Sequence, residues 1–162
     1  MTSAITHAIA CLAERHLRPA VLIVADLRQP ATAARLTVLD LHGPRPRVIL
    51  RAAVAEGAGG IGDKVGSRAS APGLYAVGAQ YQGQHGRSWK LRGMSSSDWR
   101  AAERDVVLHA AAYVSPGWAG HSWGCPAVSA ATLAALRPWL PPRAAAALWI
   151  QAPGATCRAR AR

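Results

Sequence analysis

Phenylalanine is absent from this sequence, lysine occurs only at positions 64 and 90, and acidic side chains number just 8. Without Phe, large core and cleft surfaces must come from Leu, Val and six tryptophans. The shortage of acid leaves a formal charge of +11, and 17 of the 19 basic residues are arginine. A field of that sign favours polyanionic partners such as nucleic acid, anionic lipid or acidic envelope polymers. The arginines are scattered, however, and only the terminal "RARAR" (158–162) forms a run, so no nucleic-acid partner is expected. Three cysteines, an odd number, exclude a complete disulfide framework, and neither Cys11 nor Cys157 has a companion at metal-ligand spacing. No apolar run approaches the roughly 18–20 residues that span a bilayer, so no transmembrane segment is expected. The start "MTSAITHAIACLAERH" lacks a basic n-region, and its apolar stretch ends at Glu14, Arg15 and His16. No secretory signal is read in it.

What is present points to a turn-rich globular chain of one domain, with 51% apolar residues, 15 Gly and 11 Pro. Ile5, Ile9, Leu12 and His16 recur at helical spacing after the potential caps Thr2 and Ser3, which predicts a helix ending before Pro19. Short β-rich runs follow at 20–27, 35–41 and 47–56, the last two joined by the hairpin turn "HGPRP". "GLYAVGAQY" and "SWKLRGM" predict a further pair. A short helix is expected at 96–104 and a strand at 105–110. Ser129 is positioned to cap "AATLAALRPW", and "AALWIQ" supplies a closing strand. Short strands with helices only at the margins predict a mainly β sandwich or barrel with short peripheral helices. The expected divisions are an N-terminal helix (1–18), a body (19–152) and a basic, disordered tail (153–162).

"GAGGIG" (57–62) matches a dinucleotide-binding glycine pattern, but that chemistry needs a helix N-terminus next, to hold the pyrophosphate. "DKVGSRASAPG" follows instead, with no apolar helical stripe. Asp63 between Gly62 and Lys64 also breaks the P-loop pattern. A flexible glycine loop is expected.

"HSWGCPAV" (121–128) sets one cysteine between a glycine and a proline, downstream of "DVVLHA". His109, His121 and Cys125 are metal-ligating types, but His109 lies in a strand, the other two share a loop, and no carboxylate stands nearby. No metal and no cofactor are expected. The other chemistry is a thiol nucleophile with an imidazole base. A thiol attacks as thiolate, so it needs a neighbouring imidazole or positive field to lower its pKa from about 8.5. A thiol reacting well below that pH is therefore expected. Gly124, without a Cβ, permits a strained backbone, and the N–H groups of Gly124 and Cys125 are placed to meet a developing oxyanion. A structural cysteine in a loop is the plain alternative.

Taken together, "SAPGLYAVG" (70–78), "GQHGRSWKLRGM" (83–94), "VVLHAAAYVSP" and "HSWGCPAV" resemble the murein L,D-transpeptidases, the YkuD-like catalytic domain. That family reads approximately K-H-G-x-S-x-R-L, then I-H-(A/G)-A-x-Y-V-S, then G-R-S-x-G-C-x-A-V. The resemblance runs from about residue 20 to 150 and is tightest over 67–128. It implies that Cys125 is the acylated nucleophile, that His109 is its base oriented by the Ala110 carbonyl, and that Gly124 and Cys125 form the oxyanion hole. Ser122, Trp123, His121, His85 and Tyr113 fall at positions facing the substrate. Two departures stand out. His121 replaces the usual Arg, and the loop 114–121 is several residues shorter than the family's. The implied activity is acyl transfer between peptidoglycan stem peptides by a monomer of the periplasm or cell envelope, open to carbapenem acylation. Hydrolysis of the same acyl-enzyme, an inactive envelope-binding module and a basic nucleic-acid-binding protein stay open as alternatives.

Overall fold

Alternation along two strands sets the frame. In β1 (Val21–Asp26), Val21, Ile23 and Ala25 face one side, and Leu22 and Val24 face the other. In β12 (Ala146–Gln151), Leu148 and Ile150 divide in the same way from Ala147 and Trp149. Both strands are buried throughout because both faces are covered. They pair in parallel at the middle of the sheet, from Val21 opposite Ala146 to Asp26 opposite Gln151. The computed structural model describes all residues, 1–162.

The remaining elements extend this frame. On one side lie β2 (Leu36–Asp40) and β3 (Arg47–Ala52). On the other are β5 (Gly73–Gly83), β6 (Gly86–Gly93), β7 (Val107–Ala110) and β11 (Ala127–Val128). The sheet order is β11-β7-β6-β5-β12-β1-β2-β3. Smaller pairs are β4 (Glu56–Gly57) with β10 (His121–Ser122), and β8 (Val114–Ser115) with β9 (Trp118–Ala119). One face is closed by α1 (Ser3–Glu14), whose Ala4, Ile5, Ala8, Cys11 and Leu12 are buried against Leu22, Val24 and Trp149. Thr2 caps α1 by accepting from Ile5 N–H at 3.4 Å. On the opposite face α2 (Ala130–Leu136) inserts Leu133 and Leu136 into the larger core, capped by Ser129 accepting from Thr132 N–H at 3.1 Å. Trp89 is wholly buried there, and its indole N–H donates to Pro141 O at 2.8 Å. The protein is thus mainly β and a single domain with helices at its margins, built on one nearly closed sheet. No helix is long and apolar enough to cross a membrane.

Three segments depart from the sequence expectations. Residues 96–104 form a string of turns and not a helix. Asp63 Oδ2 accepts the Arg100 N–H at 3.0 Å, which takes that donor out of a helical ladder. The glycine segment is pinned, not loose: Gly59 N–H donates to Arg68 O at 3.0 Å, and Ser70 N–H donates to Gly60 O at 2.8 Å. The tail is docked as far as Arg160, whose guanidinium lies 3.6 Å from the centroid of the Trp99 ring. Cys157 is bonded to Cys11, Ser96 N–H donates to Arg158 O at 2.8 Å, and Arg15 Nη1 donates to Cys157 O at 2.9 Å.

Candidate active site

β7 carries His109 near the sheet edge, and β11 lies beside it in parallel, with Ala127 opposite His109 and Val128 opposite Ala110. This register brings Cys125, two residues before Ala127, alongside the start of β7. Val107 N–H donates to Cys125 Sγ at 3.4 Å, and Sγ lies 3.8 Å from Asp105 O. Cys125 is the one free cysteine and is half-buried.

His109 is 2% exposed, with Nδ1 at 2.8 Å from Ala110 O. A carbonyl only accepts, so Nδ1 holds the ring proton and Nε2 keeps its lone pair. Burial, opposed by the Ala110 bond and reinforced by the nearby His85, holds the imidazole below its ordinary pKa. The imidazole is therefore neutral at pH 7. The Cys125 thiol is pushed up, by burial first, with the Val107 N–H and the Arg104 charge opposing. The expected low thiol pKa is thus not what this environment produces. Thiol and imidazole rest uncharged.

His85 belongs to the β5–β6 hairpin turn and stacks on His109, with ring centroids 4.0 Å apart and planes 16° apart. The hairpin thereby covers one face of the imidazole. Tyr113 and Tyr81 flank the site, and burial, then the charge of Cys125, raises both phenols. Trp123, two residues before Cys125, is 73% exposed, and Trp118 in β9 is 55% exposed. His121 is exposed in β10. The short 114–121 loop is a tight hairpin, tied down where Ala119 N–H donates to Ala31 O at 3.0 Å.

Ser122 does a different job from the one expected of it. It is buried, accepts from Gly124 N–H at 3.1 Å and donates to Cys125 O at 2.7 Å. Its hydroxyl is spent on building the turn, and so is the Gly124 N–H, leaving the Cys125 N–H as the donor free of the turn. Gly124 has φ +116°, and a Cβ there would lie 2.6 Å from Ala69 O and 3.0 Å from Arg104 Nη2. Only glycine fits.

Arg104 is the organiser that its sequence position does not reveal. Its buried guanidinium is paired with Asp63 at 3.1 Å, and donates to Gly62 O at 3.2 Å and to Ala69 O. It ties the glycine loop and the segment before β5 to the back of the Cys125 turn. His109, His121 and Cys125 do not form a three-ligand group suited to a metal. A concavity of about 670 Å³ lies away from this site, between the end of α1 and residues 41–46.

A sequence profile of the L,D-transpeptidase catalytic domain matches residues 1–141. A search of curated proteins finds no match. Among solved structures, an L,D-transpeptidase from Mycobacterium smegmatis is 16% identical with a TM-score of 0.54, covering 84% of this chain and 60% of that one. The helical cell shape determining protein Pgp2 from Campylobacter jejuni is 13% identical with a TM-score of 0.58, covering 89% and 50%. The LD transpeptidase LdtMt1, solved in complex with imipenem, is 15% identical with a TM-score of 0.52, covering 83% and 60%. At such identities the likeness is one of fold, and the chain spans about half to three-fifths of these proteins.

Proposed function

The chain belongs to the L,D-transpeptidase catalytic-domain family, and from that premise we propose that it transfers acyl groups of peptidoglycan stem peptides through a thioester on Cys125. One observation carries this reading: β11 lies in register with β7, so that the only free thiol, two residues before β11, packs against the Val107 N–H of the strand that bears His109, whose imidazole presents an unprotonated Nε2.

His109 Nε2 takes the thiol proton as Sγ attacks the carbonyl carbon of the third stem residue. The carbonyl oxygen becomes an oxyanion that accepts from the Cys125 N–H. Collapse breaks the C–N bond to the terminal D-amino acid, and the imidazolium returns its proton to the leaving amine. A side-chain amine of a second stem then attacks the thioester, restoring the thiol and forming the cross-link. No cofactor takes part. Where water replaces the amine as acceptor, the same residues make an L,D-carboxypeptidase. The Cys11–Cys157 disulfide supports a place in an oxidising envelope compartment such as the periplasm.

Incubation with a tetrapeptide stem should yield an acyl-enzyme by intact mass, absent in Cys125→Ala. A carbapenem should add its own mass at the same residue. Adducts on Cys11 or Cys157, or none at all, would overturn the assignment.

A further inference from the structure

We infer that Arg68, stacked on Trp123, is a carboxylate-binding element of the cleft, holding a carboxylate of the peptide substrate beside the Cys125 thiol; the inference rests on the acyl-transfer reading. The Arg68 guanidinium lies 4.2 Å from the centroid of the Trp123 ring, and Trp123 stands two residues before the nucleophile. Arg68 itself is exposed. The ion pairs of the protein join Arg28 to Asp26, Arg35 to Glu56, His42 and Arg47 to Asp40, and Arg104 to Asp63. Arg68 has no such partner. A guanidinium lying flat on an aromatic ring still offers its edge N–H groups, and that planar fork matches a carboxylate.

The backbone around Arg68 is built to hold it there. Arg68 has φ +58°, a conformation that costs a residue with a Cβ and favours glycine. An arginine kept at such a position argues that its side chain is wanted. The glycine pattern that binds no nucleotide supplies the seat. A Cβ on Gly57 would lie 2.2 Å from Arg68 O, and one on Gly59 would lie 1.8 Å from Ser67 O. Only glycines let residues 67–70 press this close, and Gly59 N–H and Gly57 N–H then hold Arg68 O and Ser70 Oγ. The nearest acid on this loop, Asp63, is already occupied by Arg104 and the Arg100 N–H, so it leaves Arg68 free for substrate.

The test compares stem tetrapeptides amidated at one carboxylate at a time, using the whole chain. Arg68→Gly removes the guanidinium and relieves the backbone, so it should melt no lower than the parent. Its KM for the free-carboxylate peptide should rise about tenfold, the scale of one charge-assisted hydrogen bond, with kcat changed less than about twofold. One amidated peptide should cost the parent the same factor and cost Arg68→Gly nothing further. Arg68→Lys, with charge but no fork, should recover only part. Should Arg68→Gly keep the parental KM, or should every amidation cost both proteins equally, the inference fails while the acyl-transfer reading stands. No acyl-enzyme from the parent with any peptide overturns both.

Discussion

At the scale of single residues, the protonation states decide the chemistry. Burial lifts the Cys125 thiol and lowers the His109 imidazole, so the pair rests neutral. Alkylation of Cys125 by iodoacetamide should therefore have its midpoint above that of a free cysteine, near 8.5. A midpoint well below that value would mean a preformed ion pair instead. His109→Ala should slow stem-peptide acylation by about 10²–10⁴-fold, the usual worth of a positioned base. The acid limb of the acylation profile reports His109, and it should lie below the ordinary imidazole range. His85 contributes to that lowering through its charge and its stacked ring. His85→Phe keeps a stacking ring without the charge, so the limb should move to higher pH with the rate plateau retained. His85→Ala should shift the limb and also reduce the plateau; identical profiles for both variants and the parent would remove His85 from the site. Cys125 and His109 stand out in the sequence as candidates because few residue types could do this chemistry and both stand in distinctive local patterns. Ser122 and Arg104 are not, because whether a hydroxyl faces the cleft or its own turn is set by tertiary packing alone.

At the scale of elements, the short apolar runs of β1, β5 and β12 and the capped helices α1 and α2 are legible because local pattern and tertiary burial agree there. The 96–104 segment has a helical composition, yet long-range partners override it. Asp63 takes the Arg100 N–H and pairs with Arg104, and neither partnership has a local signature. Within this segment Asp98 is fully buried, with Oδ1 accepting from Ser95 N–H at 2.8 Å and Oδ2 without a partner. Burial, against the opposing Ser95 N–H, pushes its carboxyl up to about 8. The folded pKa thus lies above the unfolded one near 3.9, so the folded state binds this proton more tightly. The resulting stability is complete below about pH 4 and is lost as the pH rises through about 8. Asp98→Asn keeps an acceptor for Ser95 N–H and removes the titration. Its melting temperature should vary less than the parent's between pH 5 and 8, and should exceed it at the upper end. Parallel curves for the two proteins would assign the pH dependence to other groups.

At the scale of the molecule, the two ends of the chain close on one face. Cys11 in α1 and Cys157 in the tail are 146 residues apart in sequence and joined by a disulfide. An odd cysteine count does not say which two pair, and a tail of small and basic residues reads as disordered, so neither the bond nor the docking of the tail is legible in the sequence. Once formed, the bond keeps α1 over Leu22, Val24 and Trp149, and so protects the second core. Its main effect is on the unfolded chain, where closing so long a loop removes conformational freedom worth about 4–5 kcal/mol in the entropic account, with roughly 2–5 observed when such bonds are removed. For a chain of this length each kcal/mol moves the midpoint by roughly 2–4 °C, so Cys11→Ala with Cys157→Ala should melt roughly 5–15 °C lower. Reductant should lower the parent to nearly the same temperature and leave the double variant unchanged. Because α1 and the tail lie away from β7 and β11, the folded double variant should still acylate on Cys125 at 25 °C. Three titratable thiols in the unreduced, unfolded parent would show that the bond does not form. A large drop in acylation at full folding would instead show that the second core reaches the catalytic strand.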